Sequence, residues 1–162
     1  IRIHCPIMMY PAQIEDRLRE FQKMCRSRGL KMTHQRMEIF RELASSEEHP
    51  DAETVYARVR QRIPSLSLDT IYRTLHLLED RGVIARVGST RDRARFDSNM
   101  DRHHHFVCTG CEMIRDFYSD ALDELPVPSE ASKLGRVKTV HVELRGLCRA
   151  CQDKLQTSGK TK

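Results

Sequence analysis

The sequence lacks any long apolar run. None of its segments approaches the roughly 18 consecutive apolar residues that a membrane span requires, and no secretory signal is visible. Internal repeats are also missing, which argues against a repeat architecture. We therefore expect a cytoplasmic protein with no membrane partner.

The chain also has no excess of acidic residues. The 162 residues carry a formal net charge of +5, and residues 1–97 hold 18 Lys and Arg against 14 Asp and Glu. A basic N-terminal half fits a polyanionic partner, although solvated helix faces would give similar totals. The length suits one larger domain or two small ones, and small domains need a metal or a dimer interface to compensate for their limited cores.

The first part of the chain has helical periodicity. Helices are predicted over 12–29, after Thr33 as N-cap, from Asp51 to Pro64, and from Ser67 or Asp69 to Gly82. Two extended segments follow at 83–87 and 94–97, with a turn at 88–92. Helices followed by a β-hairpin predict a winged helix, in which the fourth helix reads DNA.

The pattern then becomes β-like. Short strands are predicted at 105–108, 114–117 and 137–144, the last with Val140, Val142 and Leu144 facing inward, and a short helix at 120–125. The predicted fold is α+β: a winged-helix DNA-binding domain (1–92), a hinge (93–97), a small α/β dimerisation domain stapled by zinc (98–156) and a disordered tail (157–162).

Two CxxC pairs are the strongest chemical signal. Cys108 and Cys111 form one pair and Cys148 and Cys151 the other, with 36 residues between the pairs. Each pair brings two thiolates to one ion, so together they predict a closed, structural Zn²⁺ site. Cys25 and Cys5 lie outside the pairs and are expected to be incidental.

A second set of candidate metal ligands lies beside the first pair. His103 and His105 point to the same side of a strand, and Asp97 and Asp116 can add carboxylates. Imidazole and carboxylate ligands suit Fe²⁺, Mn²⁺ or Zn²⁺. His104 points to the opposite side and is not expected to be a ligand. The alternative is a surface histidine cluster without an ion.

Several blocks of the chain resemble the ferric-uptake-regulator superfamily of bacterial metal-dependent repressors. They are 29–36, His49-Pro50, 67–75, 95–97, His103-x-His105 with the first CxxC, and Gly146-x-Cys148-x₂-Cys151. The chain looks most like the peroxide-sensing branch, which uses Asp at the positions of Asp97 and Asp116, where iron-uptake repressors usually have Glu.

The resemblance implies a regulatory Fe²⁺ or Mn²⁺ site of five ligands: His49, Asp97, His103, His105 and Asp116. It further implies a homodimer that binds double-stranded operator DNA when the metal is bound, with no small organic ligand. Peroxide would react at bound Fe²⁺, and His49 or His103 would be oxidised. Val140 stands where several relatives place another metal-binding His, so no third metal site is expected.

The resemblance also suggests the DNA contacts. Tyr72 and Arg73 match base- and phosphate-contacting positions, and we add Thr70 and Arg36 as candidates. Tyr72 could instead be an aromatic at the core edge, and Arg36 and Arg58–Arg62 could be solvated. Peroxide sensors often have Asn at the position of Arg73, and Arg there is typical of iron-uptake repressors.

Four other functions are alternatives. An iron-responsive repressor without peroxide chemistry is the nearest one. A zinc-dependent hydrolase would need an open metal position and a general base, and a zinc deaminase would use His141 and Glu143 with a CxxC, but the spacing and a missing Pro contradict it. A zinc-ribbon interaction module would leave the winged helix unexplained. The prediction is a regulator, not an enzyme.

Overall fold

The computed structural model describes residues 11–46, 48–88 and 94–158. They form two compact units, one up to Met100 and one from Asp101 onward. Each unit is described by itself. The hinge predicted at 93–97 stays a prediction.

The first unit is a winged helix. It contains four helices and a two-stranded sheet: α1 (Pro11–Ser27), α2 (His34–Ala44), α3 (Ala52–Val59), α4 (Leu68–Asp80), β1 (Ala85–Val87) and β2 (Arg95–Asp97). The turn predicted at 88–92 lies beyond Gly88 outside the described residues, as does Cys5.

Local capping explains where three helices begin. Thr33, Asp51 and Ser67 are the N-caps of α2, α3 and α4. Each side chain accepts a hydrogen bond from the backbone N–H three residues further on, at 3.3, 2.8 and 3.2 Å respectively. These bonds satisfy N–H groups that have no partner within the helix. Ser67, and not Asp69, therefore opens α4.

One apolar core holds this unit together. The rings of Phe21 on α1 and Phe40 on α2 stack with centroids 3.9 Å apart, and both are almost fully buried. Ile71, Leu75 and Leu78 form the buried face of α4. This face is fixed by the 3–4 spacing of the three residues, so the other side of α4 is left exposed.

Strand β2 packs against the segment that follows α2. It pairs antiparallel with β1, and the Phe96 backbone N–H donates to the carbonyl of Pro50 at 3.2 Å. A β-bridge joins Asp51 and Arg95. These contacts bring the end of the wing, at Asp97, to the turn that carries His49.

The second unit is a small α/β fold. Its elements are β3 (His104–Cys108), β4 (Ile114–Phe117), α5 (Asp120–Asp123), α6 (Ser129–Leu134), β5 (Glu143–Gly146) and α7 (Arg149–Ser158). Strand β3 lies between β4, which is antiparallel to it, and β5, which is parallel.

The last predicted strand is wrong in its bounds. Strand β5 begins only at Glu143, and Leu144 is 46% exposed instead of facing inward. Val140 and Val142 lie outside it and are half-buried. The apolar alternation of this segment does not decide the strand, because the parallel pairing of β5 with β3 sets its register. Helices α6 and α7 were not predicted, and α7 includes the first two residues of the tail predicted to be disordered.

No helix among the described residues combines the length and the apolar character needed to cross a membrane.

Candidate metal centres and reading helix

The four paired cysteines meet at one place in the second unit. Cys108 ends β3, and the parallel register of β3 and β5 sets it opposite Gly146, just before the second pair. Their sulfur atoms all lie within 4.8 Å of one another, and Cys111 Sγ lies 3.8 Å from Cys148 Sγ. Four ligands about 2.3 Å from a tetrahedral Zn²⁺ are separated by about 3.8 Å. The arrangement fits that ion.

The thiols of this cluster differ in acidity. Backbone N–H groups, above all that of Cys148 and then those of Cys111 and Gly110, hydrogen-bond the sulfur of Cys108 and lower its pKa to about 6, against the opposing effect of burial. Hydrogen bonds with Cys148 and Cys111 favour the protonated thiol of Cys151 and raise its pKa to about 12. The backbone thus favours the thiolate form of Cys108, whereas ionisation of all four thiols needs a bound cation.

A compact donor triad also lies in the second unit. His103 Nε2 is 3.0 Å from His105 Nε2, and Asp116 Oδ1 is 3.7 and 3.4 Å from these two atoms. His105 and Asp116 are direct partners across β3 and β4, which explains their proximity. Atoms at such separations can all bind one ion at about 2.1 Å. The triad fits one transition-metal ion.

The backbone carbonyl of Asp101 orients the first of these histidines. It lies 2.7 Å from His103 Nδ1. Because a carbonyl oxygen only accepts hydrogen bonds, we assign the proton to Nδ1, which leaves the lone pair of Nε2 directed into the triad. This carbonyl is the kind of supporting group that metal-binding histidines commonly use, and no sequence motif indicates it.

The two remaining predicted ligands come together within the first unit. His49 Nε2 lies 3.7 Å from Asp97 Oδ2, and both side chains are buried. Asp97 Oδ1 accepts a hydrogen bond of 2.7 Å from the Asn99 backbone N–H, which fixes the carboxylate. His49 has a positive φ of 50°, a conformation that costs energy for a residue other than glycine and that clusters at functional sites. The pair offers one imidazole and one carboxylate.

His104 has a different environment, as predicted from strand alternation. It is fully buried, and its Nδ1 accepts a hydrogen bond from the Val142 backbone N–H at 3.3 Å. Its Nε2 lies 3.3 Å from Asp123 Oδ1, which Arg102 Nε also approaches to 3.1 Å. The Asp123 carboxylate is thus shared between the His104 ring and the Arg102 guanidinium.

The predicted DNA-contacting residues are distributed unevenly around α4. Tyr72 and Arg73 are on its exposed face, and the Tyr72 hydroxyl donates to Glu53 Oε1 at 2.8 Å. Thr70 belongs to the first turn, where its hydroxyl lies 2.9 Å from that of Ser67. Arg36, half-buried on α2, donates to the carbonyl of Lys31. Tyr72 is therefore an exposed aromatic.

Two other basic candidates are already paired within the first unit. Arg62 Nε lies 2.7 Å from Glu38 Oε2, and Arg62 Nη2 lies 3.0 Å from the buried Glu42. Arg58 contacts Glu42 at 3.3 Å. These contacts tie α3 and the turn that follows it to α2, so the two arginines have a structural role that no sequence motif indicates.

Comparison with known proteins identifies the family. The model of the ferric uptake regulator family matches residues 27–145. The chain belongs to this family. A curated relative, the peroxide-responsive repressor PerR of Staphylococcus aureus (strain Mu50), is 33% identical over 141 residues, which cover 87% of this chain and 95% of the relative. The chain is a metal-dependent repressor of the ferric uptake regulator family.

Solved structures share the fold. The Helicobacter pylori ferric uptake regulator Fur, described with three functional metal-binding sites, matches with a TM-score of 0.65 at 20% identity, covering 91% of this chain and 97% of that one. A zinc-bound manganese uptake regulator matches with a TM-score of 0.60 at 29% sequence identity, and the match covers 79% of this chain and 98% of that one. A zinc uptake regulator complexed with zinc and DNA matches with a TM-score of 0.64 at 21% identity, covering 88% of this chain and 97% of that one.

Proposed function

We propose that this repressor responds to peroxide, and that it binds operator DNA as a homodimer when Fe²⁺ or Mn²⁺ is bound. The observation that carries the proposal is the donor triad of His103, His105 and Asp116, with its first imidazole oriented by a backbone carbonyl. Nitrogen and oxygen donors that are already oriented in this way suit the binding of a regulatory metal ion. Its role is regulatory and not enzymatic.

The cysteine cluster holds structural Zn²⁺, one ion per protomer. Cys108, Cys111, Cys148 and Cys151 would use all four tetrahedral positions, which leaves no open position for a substrate or for peroxide. Zinc joins the end of β3 to the start of α7. We therefore assign it to the stability of the dimerisation domain and place the sensing chemistry elsewhere.

The regulatory ion is held by five ligands in this proposal. The triad of the second unit supplies three, and His49 and Asp97 of the first unit supply two. Within the triad, and within the pair, the donor atoms are close enough for one ion to bind them. The family resemblance assigns all five residues to the same ion. An ion that binds both units favours the conformation in which they are held together, and its differential affinity provides the free energy of the switch.

Bound Fe²⁺ would supply the redox chemistry that activates hydrogen peroxide. The net change would insert one oxygen atom of hydrogen peroxide into a C–H bond of the His49 or His103 ring, and the second oxygen atom would be released as water. The oxidised ring would be a poorer metal ligand, and DNA binding would be lost. With Mn²⁺ the chain would bind DNA but respond poorly to peroxide.

Three observations bear on the choice between peroxide and metal sensing. Aspartate at positions 97 and 116 and the 33% identity to PerR favour the peroxide sensor. Arg73, typical of iron-uptake repressors, favours the second candidate, an iron-responsive repressor. Both candidates use the same donors and differ in whether an imidazole is consumed.

Helix α4 is the element that we propose for the major groove. Tyr72 would pack against thymine methyl groups, and Arg73 suits guanine or phosphate. Thr70 and Arg36 are assigned to the phosphate backbone. The relative solved with zinc and DNA supports DNA as the partner of this fold.

The second unit is the proposed dimerisation surface. Strand β5 is an edge of the three-stranded sheet, and exposed apolar side chains such as Leu134, Leu144 and Leu155 lie in this unit. An unpaired edge and exposed apolar groups favour burial against another chain. Sedimentation equilibrium should give twice the chain mass, whereas a monomer at micromolar concentration would contradict the homodimer.

The metal dependence is tested by Asp116→Ala. Removing this carboxylate should weaken Mn²⁺ binding at least tenfold, and DNA binding should then require correspondingly more metal. The exposed Asp120 provides a matched control, since Asp120→Ala removes the same charge outside the triad. Calorimetric titration with Mn²⁺ and fluorescence anisotropy with labelled duplex measure the two effects. Unchanged duplex binding after metal removal would refute the switch.

Peroxide sensing is tested by mass spectrometry. The Fe²⁺-loaded full chain, treated with hydrogen peroxide, should gain one oxygen atom on a peptide containing His49 or His103 and lose DNA binding. The Mn²⁺-loaded chain is the control and should show neither change. Retained DNA binding without oxidation of either histidine would establish the iron-responsive alternative.

A further inference from the structure

An acidic side chain lies next to the principal basic residue of the reading helix. Asp69 and Arg73 are four residues apart on the exposed side of α4, and Arg73 Nη2 contacts Asp69 Oδ2 at 2.7 Å. Their side chains are 67% and 80% exposed. The pair therefore stands on the surface that the proposed function assigns to DNA.

The contact contributes little to folding. Exposed pairs at this spacing are weak because solvent screens them, and an acidic residue in the first turn of a helix adds only a small favourable interaction with the helix dipole. Near DNA the carboxylate is unfavourable, since it repels phosphates. The position of Asp69 is explained if its carboxylate orients the Arg73 side chain.

The geometry of the guanidinium group allows Arg73 to keep its contact with Asp69 and still bind a base. The group has five N–H donors, and its shortest contact with Asp69 is the ion pair through Nη2 at 2.7 Å. Enough donors remain for a bidentate bond with O6 and N7 of guanine, the commonest specific contact of arginine in the major groove. A long, exposed side chain without a partner would have to lose more rotamer freedom to make that bond.

We propose that Asp69 is a positioning residue that holds Arg73 for guanine and thereby sets base specificity at one position of each half-site. The inference rests on the proposed DNA-binding function and deepens it. Asp69 itself contacts no base in this arrangement, so its effect on sequence preference passes entirely through Arg73.

The experiment is selection from a pool of random 30-base-pair duplexes with the Mn²⁺-loaded full chain. Wild type should prefer guanine at one position per half-site, and Arg73→Ala should abolish that preference. Asp69→Asn should weaken it about five- to tenfold at the same position. The double variant should match Arg73→Ala. Asp80→Asn, which removes the same charge at the other end of α4, should change no preference.

Other outcomes refute the inference in distinguishable ways. If Asp69→Asn alters a different position, Asp69 reads its own base. If it changes affinity equally for all sequences, or only lowers the melting temperature, its role is electrostatic or structural. Wild type that selects no duplex in the presence of Mn²⁺ would refute the proposed function and this inference together.

Discussion

Gly110→Ala tests how closely the cysteine cluster is packed. A Cβ atom at this position would lie 3.1 Å from Cys151 Sγ and 3.1 Å from Leu147 Cδ2. Ordinary van der Waals contacts begin near 3.4 Å, so these atoms must move by about 0.3 Å. In the proposed zinc site, the sulfur cannot move without disturbing a Zn–S bond of about 2.3 Å.

The expected result is a zinc affinity about tenfold lower, which corresponds to about 1.4 kcal/mol, a typical effect of disturbing the surroundings of metal ligands. Competition with a chromogenic chelator measures it. Thr109→Ala is the matched control, because Thr109 is exposed beside Gly110 and its side chain supplies no ligand. Equal zinc retention by Gly110→Ala and wild type would refute the packing argument.

Three further predictions concern stability and pH. Ser67→Ala removes the N-cap of α4 and should lower the free energy of unfolding by about 1 kcal/mol in urea titrations, and an unchanged midpoint would contradict the capping role. Phe40→Ala removes the ring stacked on Phe21 and should cost about 3–5 kcal/mol by the same assay, so a loss below about 1 kcal/mol would mean that this core is loosely packed. Because Cys151 is protonated at neutral pH, with its pKa raised to about 12, and Cys108 has a pKa of about 6, zinc binding at pH 7 should displace a proton from Cys151. Zinc affinity should therefore rise with pH, and calorimetry in buffers of different ionisation enthalpy should detect proton release, whereas pH-independent binding would refute the assignment.

Local chemistry made the first unit predictable from sequence. Thr33, Asp51 and Ser67 act on N–H groups only three residues away, so their effect is encoded in a short segment. The buried face of α4 likewise follows from spacing within one helix. Residues 89–93 of the wing lie outside the described residues.

Pairing between distant segments limited the prediction of the second unit. Leu144 belongs to an apolar alternation, yet its strand is defined by parallel pairing with β3, 38 residues earlier at Phe106. Helix α7 was missed because its few apolar residues, among them the exposed Leu155, give a weak periodic signal.

The candidate metal ligands also divide into those that are close in sequence and those that only long-range pairing brings together. His103, His105 and Asp116 belong to one β-hairpin, so spacing alone suggested that they meet. His49 and Asp97 are far apart in sequence, and the hydrogen bond between Phe96 and Pro50 that brings them together has no local signature. Only the family resemblance pointed to His49.

Strand β3 links the two candidate metal centres. It carries His105 near its beginning and ends at Cys108, so a single short segment contributes to both. In the proposed function, an ion bound at the cysteine cluster would hold the end of the strand whose register aligns His105 with Asp116. Loss of that zinc would therefore weaken binding of the regulatory metal, and a cell short of zinc would lose metal-dependent repression even when the regulatory metal is plentiful.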